Sequence, residues 1–104
     1  MQRTITQTKS EERTKFQNLF GDSVQVRVVE FFLEADKVAF PVEAVVEDKD
    51  VGKSQAYEII ENLLQKKYLI LEKVSLKKRY YRLNLKNPVV RNIRNSFKKM
   101  LVSD

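Results

Sequence analysis

Apolar residues recur along this chain at two spacings, one helical and one alternating, and between them they mark out the elements. The clearest helical stretch is KSQAYEIIENLLQKK. There Ala56, Ile59, Ile60, Leu63 and Leu64 follow the i, i+3, i+4, i+7, i+8 rule of one buried face. Gly52 suits its N-cap, with Gln55 three residues on as a capping partner, and Lys66 and Lys67 fall in the last turn, where the helix dipole favours cations. Upstream, Val24, Val28, Phe31 and Phe32, widened by Val29 and Leu33, predict a helix from Asp22-Ser23 to Ala35-Asp36. Between the two, Pro41 fits a first helical position, and VEAVVED supplies two turns whose apolar side is Val42, Val45 and Val46.

At the N-terminal end, Thr8-Lys9-Ser10-Glu11 reads as a capping box. The short helix it opens runs to Leu19 or Phe20 and carries Phe16, Leu19 and Phe20 on one side, with Gly21 as its stop. The polar residues 1–7 read as a flexible arm. Beyond the central helix, YLILEKVS and RYYRLNL have the aromatic and branched content of strands. In the second, Tyr81, Leu83 and Leu85 alternate with Tyr80, Arg82 and Asn84. The linking LKK has no glycine, which predicts a basic-tipped loop longer than two residues. Asn87-Pro88 then supplies an N-cap and an N1 proline. The last helix, VVRNIRNSFKKMLV, sets Val89, Val90, Ile93, Phe97, Met100 and Leu101 along one stripe.

Short helix, turn, longer helix with a polar outer face, then a basic hairpin is a helix-turn-helix with a wing. The predicted fold is mainly α with a small β-hairpin, a winged helix-turn-helix with extra N- and C-terminal helices. Residues 8–104 form one winged-helix domain, with the helix-turn-helix at 41–67, the wing at 68–85 and a C-terminal dimerisation helix at 88–102.

Composition narrows the chemistry. The 104 residues contain no Cys and no His, which removes thiolate nucleophiles, disulfides, Cys-ligated zinc, and the commonest general base and metal ligand. No D-x-D-x-D-G loop is present for a hard cation. These absences argue against an enzyme, and neither a cofactor nor a metal site is expected. No apolar run is long enough to span a membrane and the first residues lack a signal peptide's apolar core, so a soluble, cytoplasmic protein is expected.

Net charge is +6, and its distribution is lopsided: Lys73 to Ser103 holds ten basic residues and no acidic one. Such a field is the footprint of a polyanion partner. Gly52-Lys53-Ser54 matches the end of a phosphate-binding loop, G-x-x-x-x-G-K-[ST]. The position five residues before Gly52 is Glu47, however, followed by Asp48 and Asp50 where the anion would sit. The tripeptide belongs to the helix-turn-helix instead. Val51 plugs the turn, Gly52 caps the next helix, and Lys53 and Ser54 are its first exposed residues.

LFGDSVQVRVVEFFLE, VGKSQAYEIIENLLQKKYLI and KKRYYRLNLKNPVV together resemble the small archaeal winged helix-turn-helix transcriptional regulators, similar in layout to the MarR and ArsR types, over residues 19–92. That family usually has Ser where this chain has Gly52, and Gly where it has Tyr68. The resemblance implies a dimeric DNA-binding repressor or activator. Its second motif helix would lie in the major groove, with its wing over the adjacent backbone or minor groove.

On that reading the candidate DNA contacts on the helix are Lys53, Ser54, Gln55, Tyr57, Glu58 and Asn62. Gln55 can pair bidentately with adenine and Glu58 can accept from cytosine N4. Glu58 and Glu61 would also be repelled by phosphate. On the wing the candidates are Lys77, Lys78, Arg79, Tyr80 and Arg82, arginine being a recurrent visitor to narrow minor grooves. The stripes of Phe16, Leu19 and Phe20 and of Ile93, Phe97, Met100 and Leu101 need cover. A twofold partner would supply it and would space two recognition helices ~34 Å apart, whereas folding back on the chain's own core is the alternative. Two rival functions remain: a winged-helix protein-interaction or assembly module without specific DNA binding, and single-strand binding through Tyr80, Tyr81 and the wing arginines. The operator, the direction of regulation and any small-molecule effector are not written in the sequence.

Overall fold

Threonine chemistry opens the first helix of the computed structural model, which describes residues 13–102. The Thr14 hydroxyl accepts from the Gln17 amide at 3.0 Å, and the Gln17 side chain accepts from the Thr14 amide at 3.3 Å. This capping box starts α1 (Lys15–Phe20). The arm at 1–7 and the box expected at Thr8–Glu11 lie outside the described residues, but the helix expected from that box starts instead at Lys15, behind the extended Thr14 cap. Gly21 ends α1 at φ 98°, a conformation open to glycine. Ser23 caps α2 (Val24–Ala35) through the Val26 amide.

Phe40 follows as a single extended residue. Its amide and carbonyl exchange 2.9 Å hydrogen bonds with those of Tyr81, adding a one-residue rung to the wing. Pro41 then stands at the N-cap of α3 (Val42–Lys49) rather than at its first helical position. Three residues turn the chain into α4 (Lys53–Gln65). Of these, Asp50 is left-handed, Val51 is buried as the plug, and Gly52 is the N-cap as expected. Arg27 reaches this turn from α2: it pairs with Asp22 at 2.9 Å and donates to the carbonyls of Lys49 and Asp50 at 3.4 Å. Lys49 ties α3 back to α2, 2.9 Å from Glu34 and 3.6 Å from the buried carboxylate of Glu30.

A Schellman motif closes α4. Tyr68 donates to the Leu63 carbonyl and Lys67 to that of Leu64, with Lys67 left-handed at φ 68°. The left-handed position is therefore Lys67, one residue before Tyr68. Strands β1 (Leu69–Ser75) and β2 (Lys78–Leu83) pair antiparallel from Leu69↔Leu83 to Ser75↔Lys78, with a bulge between Leu71 and Lys73.

The hairpin loop corrects the sequence-based expectation. It is a tight two-residue turn, Leu76-Lys77, with both residues at positive φ, 53° and 67°. Paired strands impose this geometry because their right-handed twist matches a type I′ turn. The ladder then offsets a left-handed penalty of roughly 1–2 kcal/mol per residue.

Asn87 accepts from the Val89 amide to start α5 (Pro88–Val102). The side-chain amides of Asn84 and Asn87 both donate to the Lys67 carbonyl, at 2.8 and 3.0 Å. Those two bonds pin the wing root and the start of α5 to the end of α4.

The core gathers Val28, Phe31 and Phe32 of α2, Val42 and Val45 of α3, and Ala56 and Ile60 of α4, with Tyr81 and Leu83 laid over them. It also takes in Phe16 and Phe97. Their rings meet edge-on with centroids 5.7 Å apart, and the Lys15 ammonium donates to the Met100 carbonyl. Two residues expected at an interface between copies thus bury each other within one chain, and α1 and α5 clasp. Asp36, at the end of α2, holds α5 as well through Arg94 and, at 3.2 Å, Lys98.

Candidate nucleic-acid interface

Helical geometry decides what α4 presents. Its buried stripe is Ala56, Ile60 and Leu63, so at 100° per residue the opposite face carries Ser54, Glu58, Glu61 and Gln65. All four are exposed, as are Lys53, Gln55, Tyr57 and Asn62. Every helix residue named from the sequence is thus solvent-facing, but not on one face. Tyr57 and Glu61 lean toward the wing, where they act on Tyr81. Glu58 and Asn62 line a depression of about 260 Å³ on the other flank, with Gln25 and Lys66. The side-chain oxygen of Gln55 lies 3.3 Å from where a Cβ on Gly52 would stand, so that residue folds back over the cap.

Lys53 is partly neutralised. Its ammonium is 3.5 Å from Glu43, in the first turn of α3. The Glu43 carboxyl is held below its ordinary range first by a backbone amide hydrogen bond, then by the charges of Lys53 and Lys78. Glu43, which the helical pattern did not single out, therefore sits between the start of α4 and the wing. Its only sequence signal is its place in the first turn of α3.

The wing divides by face. Leu69, Leu71, Tyr81 and Leu83 form the inner side. Val74 and Arg79 continue that side past the core, since cross-strand partners share a face. On the outer side, the Lys73 ammonium stands 5.0 Å above the Tyr80 ring, a cation–π contact with a lysine outside the set expected from the sequence. Lys77, Lys78 and Arg79 are exposed around the tip. Among the described residues, none of Lys73, Lys77, Lys78 and Arg79 is in an ion pair. Arg82 differs: it lies nearer the root, pairs with Glu72 at 2.5 Å and donates to the Leu83 carbonyl. Among the described residues the tip cations are thus outside ion pairs, and that of Arg82 is in one.

Beneath the tip, the Tyr81 hydroxyl is buried with no hydrogen-bond partner. Burial raises its pKa above the ordinary phenol value. The Arg79 guanidinium beside the hydroxyl opposes that shift. Of the residues assigned to a dimer contact, Leu19, Phe20, Ile93 and Leu101 are exposed, Met100 is half-buried, and Phe16 and Phe97 are in the core.

A mainly helical chain with a helix-turn-helix, an antiparallel hairpin folded beside its second helix and a single-residue third rung is a winged helix-turn-helix. Comparison with solved structures agrees. The Helicobacter pylori ferric uptake regulator Fur is similar over 100% of this chain and 87% of that one, with a TM-score of 0.51 and 17% identity. At that identity the likeness carries the fold alone and does not reach to a MarR or ArsR layout. Fur is described as having three functional metal-binding sites. This chain has no Cys or His, and among the described residues no group of three or more Asp and Glu could hold a metal ion. No protein-family model matches the sequence, and neither does any curated protein. Among the described residues no helix is long and apolar enough to cross a membrane.

Proposed function

We propose that this chain is a non-enzymatic, cytoplasmic transcriptional regulator of the kind the small archaeal winged-helix proteins represent. It binds double-stranded DNA sequence-specifically as a dimer, with α4 in the major groove and the basic wing on the flanking backbone or minor groove. One observation carries the reading: the unpaired cations Lys77, Lys78 and Arg79 cluster at the wing tip, beside a second motif helix whose outward residues are all solvent-facing. Ser54, Gln55 and Asn62 are the base-edge readers of choice on α4, Tyr57 a phosphate contact, and Lys53 a helix-end cation shared with Glu43. Leu19, Phe20, Ile93, Met100 and Leu101 supply the surface for a second copy.

Glu58 and Glu61 on the most outward part of α4 support a second reading, a protein-interaction module that keeps the fold without reading DNA. Salt decides between them. Binding to a labelled mixed-sequence duplex of thirty base pairs is expected to weaken steeply with salt. Replacing Lys77, Lys78 and Arg79 by Ala lowers the slope of log K against log salt by about 0.9 for each phosphate that is no longer neutralised. Absence of duplex binding even at low salt would leave the interaction module in first place.

A further inference from the structure

The wing ends in an apolar side chain that the fold leaves in water. Leu76 is 91% exposed, the highest of the large apolar side chains among the described residues, and its backbone is left-handed at φ 53°. Type I′ turns take Asn-Gly or Asp-Gly because both central residues need positive φ, yet this chain uses Leu-Lys. The strand ladder sustains the backbone here, while among the described residues nothing covers the side chain. Lys77 and Lys78 follow it directly, and Lys73 and Arg79 flank it on the two strands.

We propose that Leu76 is a wedge that enters the minor groove of duplex DNA and partly unstacks one base step, kinking the duplex. The inference rests on the DNA-binding reading above. The charge pattern selects the occupant: an apolar point ringed by four cations without ion-pair partners fits an apolar slot walled by phosphates, which is what an opened base step in a minor groove provides. Leu is among the side chains that insert in this way, with kinks of about 20–90°. Two-residue closure makes the tip narrow, and the ladder from Ser75↔Lys78 downward holds it stiff. Pyrimidine–purine steps such as TA unstack most easily, so Leu76 adds a preference at positions that α4 never touches.

The test uses the full chain, a thirty-base-pair duplex with donor and acceptor dyes at its ends, and 2-aminopurine in place of adenine at its TA steps. Wild-type protein is expected to shorten the end-to-end distance and brighten the 2-aminopurine. Leu76→Asn keeps a residue suited to positive φ, so the turn survives. It is expected to bind within about threefold of wild type, since phosphate contacts carry the non-specific affinity, while losing both signals. Leu76→Met keeps both. Binding by the wild type without bending or brightening overturns the wedge and leaves DNA binding standing, as does a Leu76→Asn protein that retains both signals. Absence of any duplex binding at low salt overturns the wedge and the DNA reading together.

Discussion

Two buried polar groups show how single atoms set the cost of this fold. The Tyr81 hydroxyl has no hydrogen-bond partner, and an unsatisfied buried hydroxyl costs about 1–3 kcal/mol. Tyr81→Phe removes that oxygen and keeps the ring in the core, so it is expected to raise stability by about 1 kcal/mol, read as a higher urea midpoint at unchanged slope. Loss of stability would mean the hydroxyl has a partner after all. Glu30 presents the opposite case: its carboxylate is 1% exposed, one of its oxygens accepts no hydrogen bond, and its charge faces Lys49 at 3.6 Å. Lys49→Met strands that charge and is expected to cost about 3–5 kcal/mol. Converting Glu30 and Lys49 together to Met is expected to recover most of the loss, because a buried pair roughly breaks even against apolar packing. Equal losses in the single and double variants would show that Lys49 matters for something other than Glu30.

At the scale of elements, periodicity made the helices legible, and tertiary forces shifted their details. α2 and α5 have the extents that their apolar stripes predict, and Gly52 caps α4 as expected, but α4 ends at Gln65, leaving Lys66 as its C-cap and Lys67 left-handed beyond it rather than both in its last turn. The two-residue wing turn was hidden because glycine is the usual sign of positive φ, and here the ladder imposes it on Leu76 and Lys77 without one. The partner of the Phe16 stripe was hidden for a different reason: an apolar face shows that it needs cover and not from where. Asp36 shows how such a partner is fixed. Hydrogen bonding to Arg94, with further help from Lys98, holds its carboxyl below the ordinary range, while burial opposes. A folded-state pKa below the unfolded value contributes stability that is fully present above about pH 4 and disappears as pH falls through the folded pKa. Asp36→Asn is therefore expected to cost roughly 1 kcal/mol at pH 7, and to lose less than wild type on acidification below pH ~4. Parallel acid titrations of the two proteins by circular dichroism check this; curves of identical shape would remove Asp36 from the clamp on α5.

On the scale of the whole molecule, the proposed second copy can be tested apart from the fold. The chain measures 48 × 30 × 19 Å, elongated for its length, α1 and α5 form a clasp, and Leu19, Phe20, Ile93 and Leu101 are exposed, Ile93 at the edge of an apolar cavity between α5, α2, α4 and the wing. Because Phe16 and Phe97 satisfy each other inside the chain, the clasp does not need a partner in order to fold, and assembly can be tested separately from stability. Ile93 is the residue for that test: it is 44% exposed, whereas a charge at Phe97 would unfold the core. Wild-type protein is expected to sediment as a dimer at tens of micromolar, and Ile93→Glu as a monomer with an unchanged circular dichroism spectrum. A twofold dimer places two wings on one duplex, so Ile93→Glu should also halve the slope of log K against log salt. A wild type that sediments as a monomer would remove the dimer. An Ile93→Glu protein that stays dimeric would move the interface away from α5, leaving Leu19 and Phe20 as its remaining surface.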